Sequence, residues 1–142
     1  MLYRRFAAAL TLAPLGGNAS ASDLEVSIVS LRNGRGDLHL CLTREPAHFP
    51  DCKADPKAVS RTVPATVSVV RFKSLAPGGY ALSVLHDENG NHRLDTTLGI
   101  PREGFGFSRN PVVRFGAPKF RQVRIDLAPG FTSQRVRMQY LL

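Results

Sequence analysis

The residues whose types and spacing are best suited to chemistry form a single run, Asp87-Glu88-Asn89-Gly90-Asn91-His92-Arg93-Leu94-Asp95. Oxygen-bearing side chains stand at its first, third, fifth and ninth positions. Alternate residues of a tightly curled loop aim their side chains toward one centre. Calcium is a hard cation that collects oxygens from carboxylates, amides, carbonyls and water. Asp87, Asn89, Asn91 and Asp95 would supply side-chain oxygens, and Arg93 its backbone carbonyl. The alternative is a turn in which Asx side chains cap backbone N–H groups.

The run departs from the EF-hand pattern at two places. His92 stands where the sharp turn prefers glycine, and Leu98 stands where a bidentate glutamate belongs. Only Asp87 and Asp95 would bring charge to the ion. The expected affinity is therefore weak, in the ~10⁻⁴–10⁻³ M range of extracellular modules.

Other chemistry is harder to assemble. His86 and Asp87 are adjacent, and adjacent residues of a strand point to opposite faces, so they cannot form an oriented pair. Ser83 and Ser108 lack a nucleophile-elbow motif. No catalytic residues are indicated, and the chain does not read as an enzyme. The four histidines, His39, His48, His86 and His92, make no HxH or HxxxH pair. Zinc or copper would require them to converge from separate segments, and His48 with Cys52 would compete with a disulfide. No cofactor other than calcium is expected.

Cys41 and Cys52 are the two cysteines. An even count at short separation suggests one bridge between them. Two unpaired thiols are the alternative. A catalytic CxxC dithiol is excluded by the spacing.

The elements that must position these residues begin after a targeting segment. Arg4 and Arg5 precede the apolar run Phe6 to Leu15, and Ala19-Ser20-Ala21 is a small-x-small cleavage site. Residues 1–21 thus read as a signal peptide and 22–142 as one domain. The apolar run is too short to span a bilayer, and Pro14, Gly16 and Gly17 break it. A soluble, monomeric, periplasmic or secreted product is expected, with no transmembrane segment after cleavage.

The net charge is +8. Residues 22–101 are balanced, with nine basic and nine acidic side chains; residues 102–142 hold eight basic and two acidic ones. Arg102, Arg109, Arg114, Lys119, Arg121 and Arg124 would form a face for an anionic partner. The alternative is a solvated cationic surface. Nucleic acid is not expected, because no recognition motif accompanies the charge.

Period-two alternation runs through the mature chain. Leu24, Val26 and Ile28 mark a first strand, and Leu38, Leu40 and Leu42 a second, joined by a hairpin turn at Asn33-Gly34 and Gly36. Residues 44–61 read as a connection. Val67 to Phe72 is a third strand and Tyr80 to Leu85 a fourth. A short strand at Val112 to Phe115, a fifth clear one at Val123 to Leu127 and a last at Val136 to Tyr140 follow. The loop 86–118 should be ordered, with Leu94, Leu98, Ile100, Phe105 and Phe107 packing down on the sheet; the two phenylalanines should plug one end of the sandwich between glycines at positive φ, an exposed aromatic platform for a ligand being the alternative. About seven short strands with turn signals between them describe an all-β fold, a small antiparallel β-sandwich.

Taken as an ordered set, three stretches resemble the bacterial DUF2141 family. They are Leu75-Ala-Pro-Gly-Gly-Tyr-Ala-Leu-Ser-Val84 with the His86–Asp95 run, Leu98-Gly-Ile-Pro-Arg-Glu-Gly-Phe-Gly-Phe-Ser108, and Arg114-Phe-Gly-Ala-Pro-Lys-Phe120. The segment from Phe49 to Ala58 resembles that family's connection after its second strand. The resemblance covers about Leu24 to Leu142. It implies an exported, transthyretin-like or prealbumin-like sandwich with no established activity, and it lends no support to the disulfide. The nine-residue spacing alone is also similar to calcium loops of sandwich repeats in bacterial surface adhesins.

The resulting expectation is a binding or accessory module for an unknown envelope component, with a purely structural domain as the alternative and a small-substrate enzyme as the remote one. If the five oxygens converge on calcium, the thermal midpoint should rise with free calcium and return with chelator. Asp87→Ala and Asp95→Ala should abolish that response. Melting curves that ignore calcium would remove the ion from the account.

Overall fold

Strict alternation begins at Ser22, and the first strand buries every second side chain. In the computed structural model, which describes residues 20–142, strand β1 spans Ser22–Val29 with Leu24, Val26 and Ile28 inward. Nearly all of the predicted signal peptide lies outside the described residues. The elements that follow are β2 (Asp37–Thr43), β3 (Val59–Pro64), β4 (Val69–Leu75), β5 (Gly78–Asp87), β6 (Thr96–Thr97), β7 (Ile100–Pro101), β8 (Gly104–Phe107), the single-turn helix α1 (Phe120–Val123), β9 (Ile125–Leu127) and β10 (Gly130–Arg137).

Two sheets stack. One has the order β10-β1-β4; the other has β3-β2-β5-β8, with β9 also on β5. Between them lie Leu24, Val26, Leu38, Leu40, Leu42, Phe72, Leu82 and Val84, all essentially inaccessible to water. Each such side chain contributes about 1.5–3 kcal/mol through removal of apolar surface from water. The chain is an all-β sandwich, as the alternation predicts.

Several details differ from the sequence reading. β1 and β2 belong to different sheets, so Asn33-Gly34 and Gly36 carry the chain across the sandwich and do not close a hairpin. The arrangement is not wholly antiparallel, because β1 pairs with β10 in parallel, Ser22 opposite Gly130 through Val29 opposite Arg137. Residues 59–61, read as the end of a connection, open β3, which forms the edge of the larger sheet. No strand forms at 112–115, where Val112 and Phe115 are exposed between Pro111 and Pro118. Val123 closes α1, and only 125–127 extend as β9.

The loop after β5 is also unlike its prediction. Leu94, Leu98 and Ile100 are exposed, Leu98 almost wholly at 97%. Thr96–Thr97 and Ile100–Pro101 pair as a small hairpin that projects Leu98 at its tip. Phe105 and Phe107 are buried as expected, but as side chains of β8 on the outer face of the larger sheet, clustered with Ala81, Val123, Phe49 and Phe120. Gly104 and Gly106 are not at positive φ. They are needed because a Cβ on Gly104 would strike the Tyr140 ring and one on Gly106 would strike Val136.

Cys41 and Cys52 are bridged, with Cα atoms 5.6 Å apart, within ordinary bridging range. The bond ties the 44–58 segment to the outer face of β2. Its eleven-residue separation predicts a loss of about 3 kcal/mol in the chain-entropy account when both cysteines become alanine. Denaturant unfolding of Cys41→Ala/Cys52→Ala should show that loss. An unchanged midpoint would mean that the other contacts of this segment suffice.

Candidate functional site

The outer face of the larger sheet carries the site. β2 turns His39 and Cys41 outward, and β5 turns Ser83, Leu85 and Asp87 outward, because both strands commit the opposite phase to the core. The antiparallel register sets His39 opposite Leu85 and Asp37 opposite Asp87. His39 and Asp87 therefore meet on the diagonal of one face. The His39 Nε2 to Asp87 Oδ2 distance is 2.9 Å, and His39 Nδ1 lies 2.9 Å from the Thr62 hydroxyl on β3.

Asp87 is fully buried. Its Oδ1 accepts from the Asn91 N–H at 3.1 Å, and its Oδ2 from the His92 N–H at 2.8 Å. Burial pushes its carboxyl upward. The hydrogen bonds from His39, His92 and Asn91, and the field of His39, outweigh that effect and hold it below the ordinary 3.8. Asp95 is likewise lowered, by the side chains of Asn91 and then Asn89.

The predicted calcium residues thus meet in one loop but divide their bonds. Asp95 accepts the Asn89 amide at 2.6 Å and the Asn91 amide at 2.8 Å. Asn89 Oδ1 accepts from the Asn91 N–H, and Asn91 Oδ1 accepts from the Arg93 N–H. Asp87 turns instead toward His39 and His92. His92 takes the left-handed conformation that a glycine would supply, at φ 60°, and Gly90 does so at 72°.

Residues that sequence reasoning missed hold this loop. Glu103 is buried; its carboxylate accepts the Glu88 N–H at 3.1 Å and the Asp95 N–H at 3.2 Å, clamping both ends. Glu88 pairs with Arg32 and is held below its ordinary value, because hydrogen bonds from Asn33 and Arg32 overcome the effect of burial. His86 faces inward and bonds to the Tyr140 hydroxyl and the Arg35 carbonyl, each at 2.8 Å. It is separated from Asp87 by the sheet itself.

An open groove of about 640 Å³ runs across this outer face. Its floor is Leu85, Phe105 and Phe107. His92, Arg93 and Leu94 stand at one end, and Pro50 to Lys53 at the other; β3 runs along the flank, with the Arg61 side chain in the core-facing phase opposite Leu40 and over the Phe72 ring. The basic residues predicted from sequence are all exposed. Arg102 stands just before β8, beside the loop. Arg109 follows β8 at the opposite end, and Arg114 lies in the connection to α1. Lys119 caps α1, Arg121 lies within it, and Arg124 follows it, paired with Asp126 at 2.8 Å.

With this geometry in place, the comparison with known families is decisive for kinship. Residues 26–135 match the model of a family described as an uncharacterized protein conserved in bacteria, DUF2141. The chain belongs to the DUF2141 family. No curated protein and no solved structure matches it. The match takes in every strand that builds the site of this DUF2141 domain, from β2 to β8, together with the loop.

The groove wall at 50–53 depends on a second anchor besides the disulfide. Asp55 is buried and accepts the Thr43 hydroxyl at 2.5 Å and the Lys57 N–H at 2.9 Å. Those bonds, the Thr43 one first, hold its carboxyl below the ordinary 3.8. A depressed folded value stabilises the fold above the unfolded one, and that stability is lost as pH falls through the folded value. Asp55→Asn should therefore be less stable than wild type near neutrality. The gap should narrow as pH falls below the ordinary carboxylate range and through the folded value, read by denaturant unfolding. A gap independent of pH would show that the Asp55 charge is not what holds the segment.

Proposed function

We propose that this DUF2141 protein is an exported binding module that seats an anionic ligand with an apolar body in the groove on its larger sheet. The observation that carries this reading is the groove itself. Its floor is apolar, at Leu85, Phe105 and Phe107, and its rim carries two cations, Lys53 and Arg93. A pocket with an apolar lining and a few placed polar groups is the usual form of a small-ligand site. The more distant cations, Arg102, Arg109, Arg114, Lys119, Arg121 and Arg124, add a field that draws an anionic envelope component toward the domain. The Cys41–Cys52 bridge supports export to an oxidising compartment. Among the described residues, no helix is long and apolar enough to cross a membrane.

Calcium enters this reading as a stiffener of the groove's loop wall, through Asp87, Asn89, Asn91, Asp95 and the Arg93 carbonyl. Binding without turnover is favoured because the Thr62 hydroxyl beside His39 lies on an exposed edge strand, open to water. Acyl transfer to a hydroxyl uses the opposite setting, a water-excluded site with aimed donors. One observation favours the purely structural alternative. The loop closes on its own hydrogen bonds, and among the described residues no buried side-chain polar atom lacks a partner.

Anilinonaphthalene sulfonate joins an apolar ring system to one anionic group, and its fluorescence reports binding. Wild-type protein should bind it saturably, one molecule per chain, more weakly as salt rises. Lys53→Glu with Arg93→Glu should weaken binding about tenfold, or 1.4 kcal/mol, while the melting curve stays in place. Equal binding by the charge-reversed variant would defeat the groove reading.

A further inference from the structure

The structure brings together three metal-ligating side chains that lie far apart in the chain. His39 comes from β2, Asp87 from the end of β5, and His92 from the loop. One ligand atom from each lies within 4.8 Å of the others. The His39 and His92 rings are 5.1 Å apart between centroids. We propose that His39, Asp87 and His92 form a binding site for a divalent transition metal ion of the zinc class, at the loop end of the groove.

The donor set selects the metal class. Two imidazoles and one carboxylate suit zinc or copper and suit calcium or magnesium poorly, since those ions take oxygen. Zinc binds imidazole nitrogen and carboxylate oxygen at about 2.0–2.2 Å, which sets tetrahedral ligand atoms about 3.3 Å apart. His39 and Asp87 are already at 2.9 Å. His92 is the exposed member, so its side chain is the one that must turn to close the remaining distance.

The surroundings of the ligands are built as metal sites usually build them. A ligating histidine generally gives its other ring N–H to an oxygen, which fixes its tautomer. Here the Thr62 hydroxyl is 2.9 Å from His39 Nδ1, leaving Nε2 for the ion. The backbone N–H groups of Asn91 and His92 hold the Asp87 carboxylate in place. Binding replaces the His39–Asp87 hydrogen bond. The proton moves to Nδ1, facing Thr62, and the lone pair of Nε2 goes to the metal. Three protein ligands leave a fourth position that opens into the groove, where water or an anionic group can complete the shell.

This site shares Asp87 with the calcium reading but uses none of its amide oxygens, and it needs no groove ligand. The two are separable by variant and by metal. Zinc titrated calorimetrically into the untagged full chain should bind at one ion per chain. His92→Ala and His39→Asn should each weaken that binding at least about tenfold, consistent with loss of one ligand. His48→Ala should leave it unchanged. His92 is exposed, so His92→Ala should keep the fold, and its melting curve in chelator checks this. Cobalt(II) substitution should give the visible absorption of a low-coordinate nitrogen–oxygen site in wild type and not in His92→Ala. Absence of one-to-one zinc binding, or binding indifferent to His39 and His92, would overturn the proposal. Zinc binding that survives the Lys53→Glu/Arg93→Glu change, with dye binding lost, would leave both readings standing on separate evidence.

Discussion

A strand that lies against the core on one face and under a second apolar layer on the other must bury both phases of its side chains. β5 meets that condition. Tyr80, Leu82, Val84 and His86 point into the sandwich; Ala81 and Asp87 are buried on the far side. The strand pairs with β2 along most of its length, and with β9 and then β8 on its other edge. Its polar end residues cannot reach bulk water, so each needs a partner. His86 finds Tyr140 and Arg35 within the fold, and Asp87 finds His39 and the loop backbone outside it. The loop conformation, the position of His92 and the shape of one end of the groove follow from satisfying a single buried carboxylate.

The sequence was most legible where one face is wholly apolar and the other is not. Ser22–Val29, Asp37–Thr43 and Gly78–Asp87 announce themselves by alternation, and their inward sets are the ones found in the core. β3 was hidden because an edge strand buries little; Val59 and Val63 are only half-buried, and Pro64 ends it. The 112–115 run has strand-forming residues but pairs with no strand of either sheet. The parallel pairing of β1 with β10 could not be read from either strand alone, since register depends on a partner more than a hundred residues away.

The site was legible as a loop and not as a convergence. Spacing within 87–95 found Asp87, Asn89, Asn91 and Asp95, which do bond with one another or with the loop backbone. It could not find His39 or Glu103, whose approach depends on how β2 and β8 pair with β5. A usable signal did exist. Once β2 and β5 are placed side by side in opposite directions, His39 and Asp87 both fall in the outward phase. The histidines, discounted because they form no local motif, are joined by strand register. The glycines of the Gly-Phe-Gly-Phe run, read as conformational devices, are instead the spaces into which Tyr140 and Val136 fit.

The pairing of β1 with β10 also sets an order of events. A chain delivered amino end first, from a ribosome or through a narrow pore, presents its first strand long before the last one exists. Until Gly130 to Arg137 arrive, β1 has only β4 beside it and an open edge of hydrogen-bonding groups on its other side. Contacts of such high sequence separation carry a large closure entropy and slow the search for the native topology. The sandwich can therefore be completed only when nearly the whole chain has emerged, which leaves a prolonged interval in which the polypeptide is still pliable enough to be threaded.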